Sequence, residues 1–521
     1  MDDLAHLYLP GCDVCELSLA HRDELGGRCA VLKRDSVAAL GALVLRERPL
    51  LRWCTDEPQF SALGADANMW FAYAAAVDRL GSGGSIDCDL DTESEADSGD
   101  RRRTRALLNA CAWVRGDRFD RFVELARRAS QLRVLPRLSE ELKVRLLLIS
   151  DTNAHACGSD SAAIFPMGCK VAHSCRANVA YRFVAGALQY RVVRPLRGGD
   201  ALTFNYLGEN VCRDARSRSA LLQLTKRFTC RCELCCEPDR LRALPCEREC
   251  APGAVMIYDP HTQLWLCEAC RAQWSDAQLA ETALARERTA VSLFEKQEDW
   301  YSSVTQRLVA AARAERLVGA LHWAVAMQHR KVMRNILQLE ANRASEQQGL
   351  SANEVRDRYA PVCKPSAEAV DHDDDDYGYA AYVALMNGDG GEDDDDRDDY
   401  GSTVSFDSAD EAQRLRVDDG GEDEPEVTIE NGVPLSGEAL LNKAADSGMR
   451  WVAWAMHCDS HGTLATTAAT AMQELQPLLE RVGRSAEAER VRRHFAAFHS
   501  VEWLQGEEDD VDNSSHRDEC R

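Results

Sequence analysis

Residues 230–270 read CRCELCCEPDRLRALPCERECAPGAVMIYDPHTQLWLCEAC. Eight of the chain's 21 cysteines fall in this one stretch. Cys230, Cys232 and Cys235 form a C-x-C-x2-C cluster, with Cys236 adjacent. Tetrahedral zinc takes four ligands, with sulfur at roughly 2.3 Å. A fourth ligand is therefore expected from elsewhere in the chain. Cys236 is the local alternative, although two adjacent cysteines rarely chelate one ion with good geometry. Cys246, Cys250, Cys267 and Cys270 form C-x3-C and C-x2-C pairs around VMIY and QLWL. Those two runs flank Asp259-Pro260-His261-Thr262, which predicts a β-hairpin between two cysteine knuckles, as in a zinc ribbon. A RING arrangement would interleave cysteine and histidine pairs, and this stretch contains only His261.

The rest of the chain gives these thiols their context. At 521 residues and 45% hydrophobic content, it is long enough for two or three domains. No run of apolar residues is long enough for a membrane span. The start, MDDLAHLYLPGCDVC, is acidic and has no apolar core, which predicts no secretory signal. The expected location is the nucleus, the cytoplasm or both, where thiolate–metal sites are favoured over disulfides. The net charge of -24 is unevenly spread. Residues 371–430 hold 23 acidic side chains against 3 arginines, so the remainder carries a net of only -4. Such a chain repels nucleic-acid phosphates, so direct nucleic-acid binding is not expected. The acidic run suits a basic protein partner such as a histone tail, but its plainer reading is a solvated spacer.

Patterning divides the chain into ten segments. Residues 1–24 form an N-terminal segment. Residues 25–55 read as strands, with a turn-prone Gly41. Residues 56–150 read as a helical insert with a flexible loop at 81–105. Residues 151–212 return to strands. There YRFV and LQYRVV flank Ala185-Gly186-Ala187 as a hairpin, Arg197–Gly199 turns, and Ala201–Leu207 forms another strand. Residues 213–240 are a short helix and the first cysteine cluster, and 241–275 are the ribbon-like segment. Residues 276–350 are helical, 351–436 an acidic disordered linker, 437–505 helical again, and 506–521 an acidic tail. Trp451, Trp454, Met472, Leu475 and Leu479 are the expected core of the last helices. The paired helices on either side of the linker suit a TPR-like array.

Four fragments then stand in a telling order. They are Gly27-Arg28-Cys29-Ala30-Val31 with the downstream LRERPLL, and Ile164-Phe165-Pro166 with Ala172-His173-Ser174-Cys175-Arg176-Ala177-Asn178. After them come Gly199-Asp200-Ala201-Leu202-Thr203-Phe204-Asn205-Tyr206, and Arg218, Leu222 and Phe228 leading into the cysteines. In this order the chain resembles the SET-domain protein-lysine methyltransferases, the SMYD branch most closely. The fragments are similar to that family's G-R-G-[LV], N-H-S-C-x-P-N and G-E-E-[IL]-T-x-x-Y motifs and its post-SET segment. They span about half of the chain.

The resemblance implies a mixed α/β (α+β) fold. Its β-rich SET core is split by the helical insert, followed by zinc-binding post-SET and ribbon segments and a helical, TPR-like C-terminal domain. It implies S-adenosylmethionine-dependent methyl transfer to lysine side chains of a protein substrate, histone or non-histone. Tyr206 takes the catalytic position, and Phe204 and Phe228 line the substrate channel. Gly27, Arg28, Cys29, Ala172, His173 and Ser174 bind the cofactor. Cys175 completes the first zinc site with Cys230, Cys232 and Cys235. The insert holds only Cys88 and Cys111, too few for the MYND finger of that branch. Ala172 stands where the family has Asn, Cys29 where it has Gly, and Ala177 where it has Pro. The alternative reading is a catalytically weak or inactive SET-like zinc-binding scaffold that recruits basic partners.

Overall fold

The computed structural model describes residues 17–22, 25, 27–54, 60, 63, 65–80, 117–157, 161–295, 304–348, 437–458 and 474–494. The expected loop at 81–105, the acidic linker, Met472 and the tail lie outside them. The fold mixes strand and helix, with helices dominating after residue 276. Among the described residues no helix is long and apolar enough to cross a membrane.

Short strands build the first half. β1 (Leu17–Arg22) and β2 (Gly27–Leu32) form an antiparallel hairpin, so the strand region begins before residue 25. β3 (Val37–Ala38), β4 (Leu43–Glu47) and β5 (Leu51–Cys54) follow, with Gly41 at φ 82° in the turn before β4. Among the described residues three helices then intervene: α1 (Ala65–Leu80), α2 (Asp117–Gln131) and α3 (Glu140–Asn153). Ser139 caps α3 by accepting the Leu142 N–H at 3.1 Å. The helices bury Phe71, Phe122, Leu146 and Ile149 in one core with Trp53 of β5.

After the helices the chain rejoins the same sheets. β6 (His155–Ala156) and β7 (Ser161–Ile164) extend β5 in the order β5-β7-β6, with Leu51 opposite Ile164. β8 (Ala172–His173) precedes the hairpin of β9 (Val179–Val184) and β10 (Ala187–Val192). Its two-residue loop, Ala185 and Gly186, has positive φ at both positions, the geometry that suits a right-twisted hairpin. β10 also pairs with β4, and β11 (Leu196–Arg197) pairs with β3. The helical insert therefore interrupts a strand region whose two parts pair with each other across it.

The expected strand Ala201–Leu207 is shorter. Only β12 (Thr203–Phe204) forms, pairing in parallel with β8. Asn205 ends it: its side chain accepts the Leu207 N–H at 2.9 Å and donates to the Gly208 carbonyl at 2.7 Å. A 3-10 turn at Gly208–Cys212 and α4 (Ala215–Lys226) lead to the cysteines. There α5 (Glu233–Cys236) precedes the sheet of β13 (Asp239–Pro245), β14 (Val255–Asp259), β15 (Leu264–Cys267) and β16 (Gln273–Trp274), paired in that order. The hairpin read around Asp259–Thr262 is β14–β15. Helices at Ala283–Glu295, Val304–Val318, Trp323–Gln348 and Gly437–Cys458 follow. Trp451, Trp454, Leu475 and Leu479 are buried among them as expected.

Candidate active site and metal centres

The fold gathers the cysteines into two groups of four. The Sγ atoms of Cys175, Cys230, Cys232 and Cys235 all lie within 4.8 Å of one another, as do those of Cys246, Cys250, Cys267 and Cys270. A tetrahedron with metal–sulfur bonds of about 2.3 Å has edges of about 3.8 Å. The Cys175–Cys235, Cys246–Cys270 and Cys250–Cys267 sulfur separations are 3.6, 3.9 and 3.7 Å. Both groups could hold a metal ion and are compatible with zinc.

Cys175 is the fourth member of the first group, some 55 residues from the other three in sequence. Cys236 turns aside, its Sγ 3.5 Å from the Arg231 carbonyl. Mutual thiol hydrogen bonds push the Cys175 thiol up and the Cys230 thiol down. Four such neighbours can all be thiolates only with a cation among them. The fully buried Arg218 lies alongside, donating to the Leu234 carbonyl at 3.1 Å and to Cys235 Sγ at 3.7 Å. Arg176 straps Cys175 to α5 through ion pairs with Glu233 at 2.9 Å and Glu237 at 3.2 Å.

The parallel β8–β12 pair brings the motif residues together. Asn178 holds β12 in place, donating to the Ala201 carbonyl and accepting the Thr203 N–H, both at 2.8 Å. Phe204 then lies opposite His173, with Tyr206 two residues beyond the strand end. Tyr206 is secured twice on the facing segment. Its N–H donates to His173 Nδ1 at 3.1 Å and its hydroxyl donates to the Val171 carbonyl at 2.7 Å. Burial holds that hydroxyl well above the usual tyrosine range, so it keeps its proton. The Tyr206 ring centroid lies 4.6 Å from that of Phe204, 5.1 Å from His173 and 6.4 Å from Phe228. The expected catalytic and channel residues therefore form one aromatic group.

The expected cofactor residues also converge. Cys29 of β2 and Ala172 of β8 are buried in one small apolar cluster with Val31, packed against Ala20, Leu25 and Ala201. Gly27 and Arg28 lie on the same strand as Cys29. Ser174 is buried; its N–H donates to the Phe204 carbonyl at 3.2 Å, and its hydroxyl accepts the Arg176 N–H at 3.1 Å.

Several site residues carry no assignment from sequence. Tyr190 and Tyr181 pack against Phe204, and the burial of Leu188, Tyr190 and Val192 follows the period of two in LQYRVV. His155 stacks on Phe204 and carries no sequence signal. Its Nδ1 donates to the Asn153 carbonyl at 3.1 Å and its Nε2 accepts the Tyr190 hydroxyl at 3.0 Å. Burial pushes its pKa down to about 4, so the ring is neutral. Glu47, within LRERPLL, is buried and accepts the N–H groups of Met167 and Gly168, each at 2.9 Å. It joins the strand before the insert to the segment leading into β8. No family model matches the chain, and no curated protein matches it.

Proposed function

We propose that the protein is a SET-type, SMYD-like protein-lysine methyltransferase that uses S-adenosylmethionine and carries structural zinc in both cysteine groups. The observation that carries this reading is the meeting of four distant fragments at one place. Cys29 and Ala172 pack together, and beside Ala172 the His173 ring touches Tyr206 and Phe228. The helices after residue 276 are read as a TPR-like wall for a basic protein substrate.

When bound, the cofactor supplies an electrophilic methyl group on a sulfonium. The chain's own residues do the rest. Methyl transfer needs the neutral lysine amine, whose free pKa is near 10.4. Phe204, Tyr206 and Phe228 would line the place of that amine, favour its neutral form by desolvation and orient it toward the methyl donor. The bound cofactor would supply its methyl group to the amine lone pair and keep the C–S bonding electrons as a thioether, and the amine's extra proton would pass to water. Tyr206 does not serve as the base, because its hydroxyl is protonated and donates to Val171. Its oxygen lone pairs remain to accept hydrogen bonds from the amine or the methyl group.

The test pairs calorimetric titration of S-adenosylmethionine with a radiolabelled methyl-transfer assay on a cell extract. Tyr206→Phe should bind cofactor as the wild type does and transfer methyl on the order of 10²-fold more slowly. A wild type with no cofactor affinity would leave the zinc-bearing scaffold as the function.

A further inference from the structure

We propose that His173 is a positioning residue that couples the metal of the Cys175 group to the backbone of Tyr206. The inference rests on the zinc and tyrosine assignments above and gives His173 a role other than cofactor contact. The Tyr206 backbone N–H can only donate, so the His173 Nδ1 it meets at 3.1 Å carries no proton. The ring proton therefore sits on Nε2, which lies 3.3 Å from Cys175 Sγ. This makes His173 the donor and the sulfur the acceptor. A metal-bound thiolate is a stronger acceptor than a thiol, and groups behind a ligand that bond to it fix its orientation.

The imidazole is buried and has no rotational freedom to spare, with the Tyr206 and Phe228 rings at 5.1 and 5.7 Å. One face of the chemistry is thus joined to the other through a single ring. The metal holds the Cys175 sulfur, the sulfur holds Nε2–H, and Nδ1 holds the Tyr206 amide. The Val171 carbonyl holds the hydroxyl end of the same tyrosine. Without the metal, the sulfur that meets Nε2–H is no longer fixed, the ring loses one of its two fixed ends, and its hold on the Tyr206 amide loosens.

The experiment needs no methyl transfer. Zinc content is measured first, and zinc release from each group is then followed by chelation and mass spectrometry. Deuterium exchange is read at the Tyr206 amide. His173→Phe keeps a ring but removes both nitrogens. It should speed release from the Cys175 group on the order of tenfold and leave the Cys246 group unchanged. The Tyr206 amide should exchange about tenfold faster, as for one lost hydrogen bond. His173→Asn restores an acceptor near Nδ1, so it should recover the amide protection but not the metal retention. Should His173→Phe fail to fold, the wild type decides. Stripping the first metal must raise Tyr206 exchange while the β14–β15 amides stay protected. Metal present with unchanged Tyr206 exchange after stripping overturns the coupling but leaves the zinc assignment standing. No metal in the first group overturns both.

Discussion

Glu47 offers a perturbation whose sign and size both follow from the structure. Its carboxylate is desolvated beneath the 3-10 turn at Gly168–Lys170, and two backbone N–H groups only partly compensate. Burial raises its pKa from 4.5 to about 7. The native state therefore binds the proton more tightly than the unfolded chain does. Stability from this group is fully present below pH 4.5 and is lost as pH rises toward 7. Each tenfold difference in proton affinity between the two states is worth about 1.36 kcal/mol, so the loss between pH 5 and pH 8 is about 2–3 kcal/mol. Glu47→Gln copies the neutral form in shape and donor–acceptor pattern but does not titrate. Wild type and variant should melt within a few degrees of each other at pH 5. By pH 8 the variant should be favoured by roughly 5–10 °C, taking about 2–4 °C per kcal/mol. Thermal scans of both proteins at four pH values test this, because every other titrating group cancels in the difference. Parallel curves would refute it and show that the Met167 and Gly168 N–H groups hold Glu47 ionised at its ordinary pKa.

Three further outcomes are expected. Elemental analysis of protein purified without chelator should find about two zinc ions per chain, falling to about one in Cys250→Ser. Arg242, buried with Glu287 at 2.5 and 2.6 Å, should cost about 3–5 kcal/mol when changed to Met, because Glu287 is left without its guanidinium. Denaturant melts should recover most of that loss in the Arg242→Met, Glu287→Leu double variant. Ala172→Asn, which introduces the amide that SET-domain proteins carry at the matching position, should leave calorimetric affinity for S-adenosylmethionine equal or improved under the proposed reading; loss of affinity would count against a cofactor site beside Ala172.

What the sequence determined by itself was local. The spacing of Cys246, Cys250, Cys267 and Cys270 carries the ribbon, because both knuckles and the hairpin between them lie within one short stretch. The alternation in YRFV and LQYRVV carries the β9–β10 hairpin, because a period of two and an Ala-Gly turn are near-neighbour properties. The pattern over Ala201–Leu207 predicts a longer strand than forms, for the complementary reason. It runs on, but its partner β8 is only two residues long and the Asn205 side chain turns the chain away. Composition likewise located the acidic run, whose expected disorder falls on residues outside the described ones.

Tertiary structure decided the contacts between remote segments. The three cysteines near residue 230 require a fourth ligand, but their spacing does not say which; the approach of β8 brings in Cys175 and leaves Cys236 facing a carbonyl. Glu47 reads as part of LRERPLL with no partner assigned until the chain returns at Met167 and Gly168 with two N–H groups to satisfy. The two roles of His173 depend on Tyr206 and Cys175 reaching opposite nitrogens of one ring. Hydrogen-bond direction and burial belong to pairs of groups. A sequence lists the members of those pairs, and only the fold brings them within about 3 Å of each other.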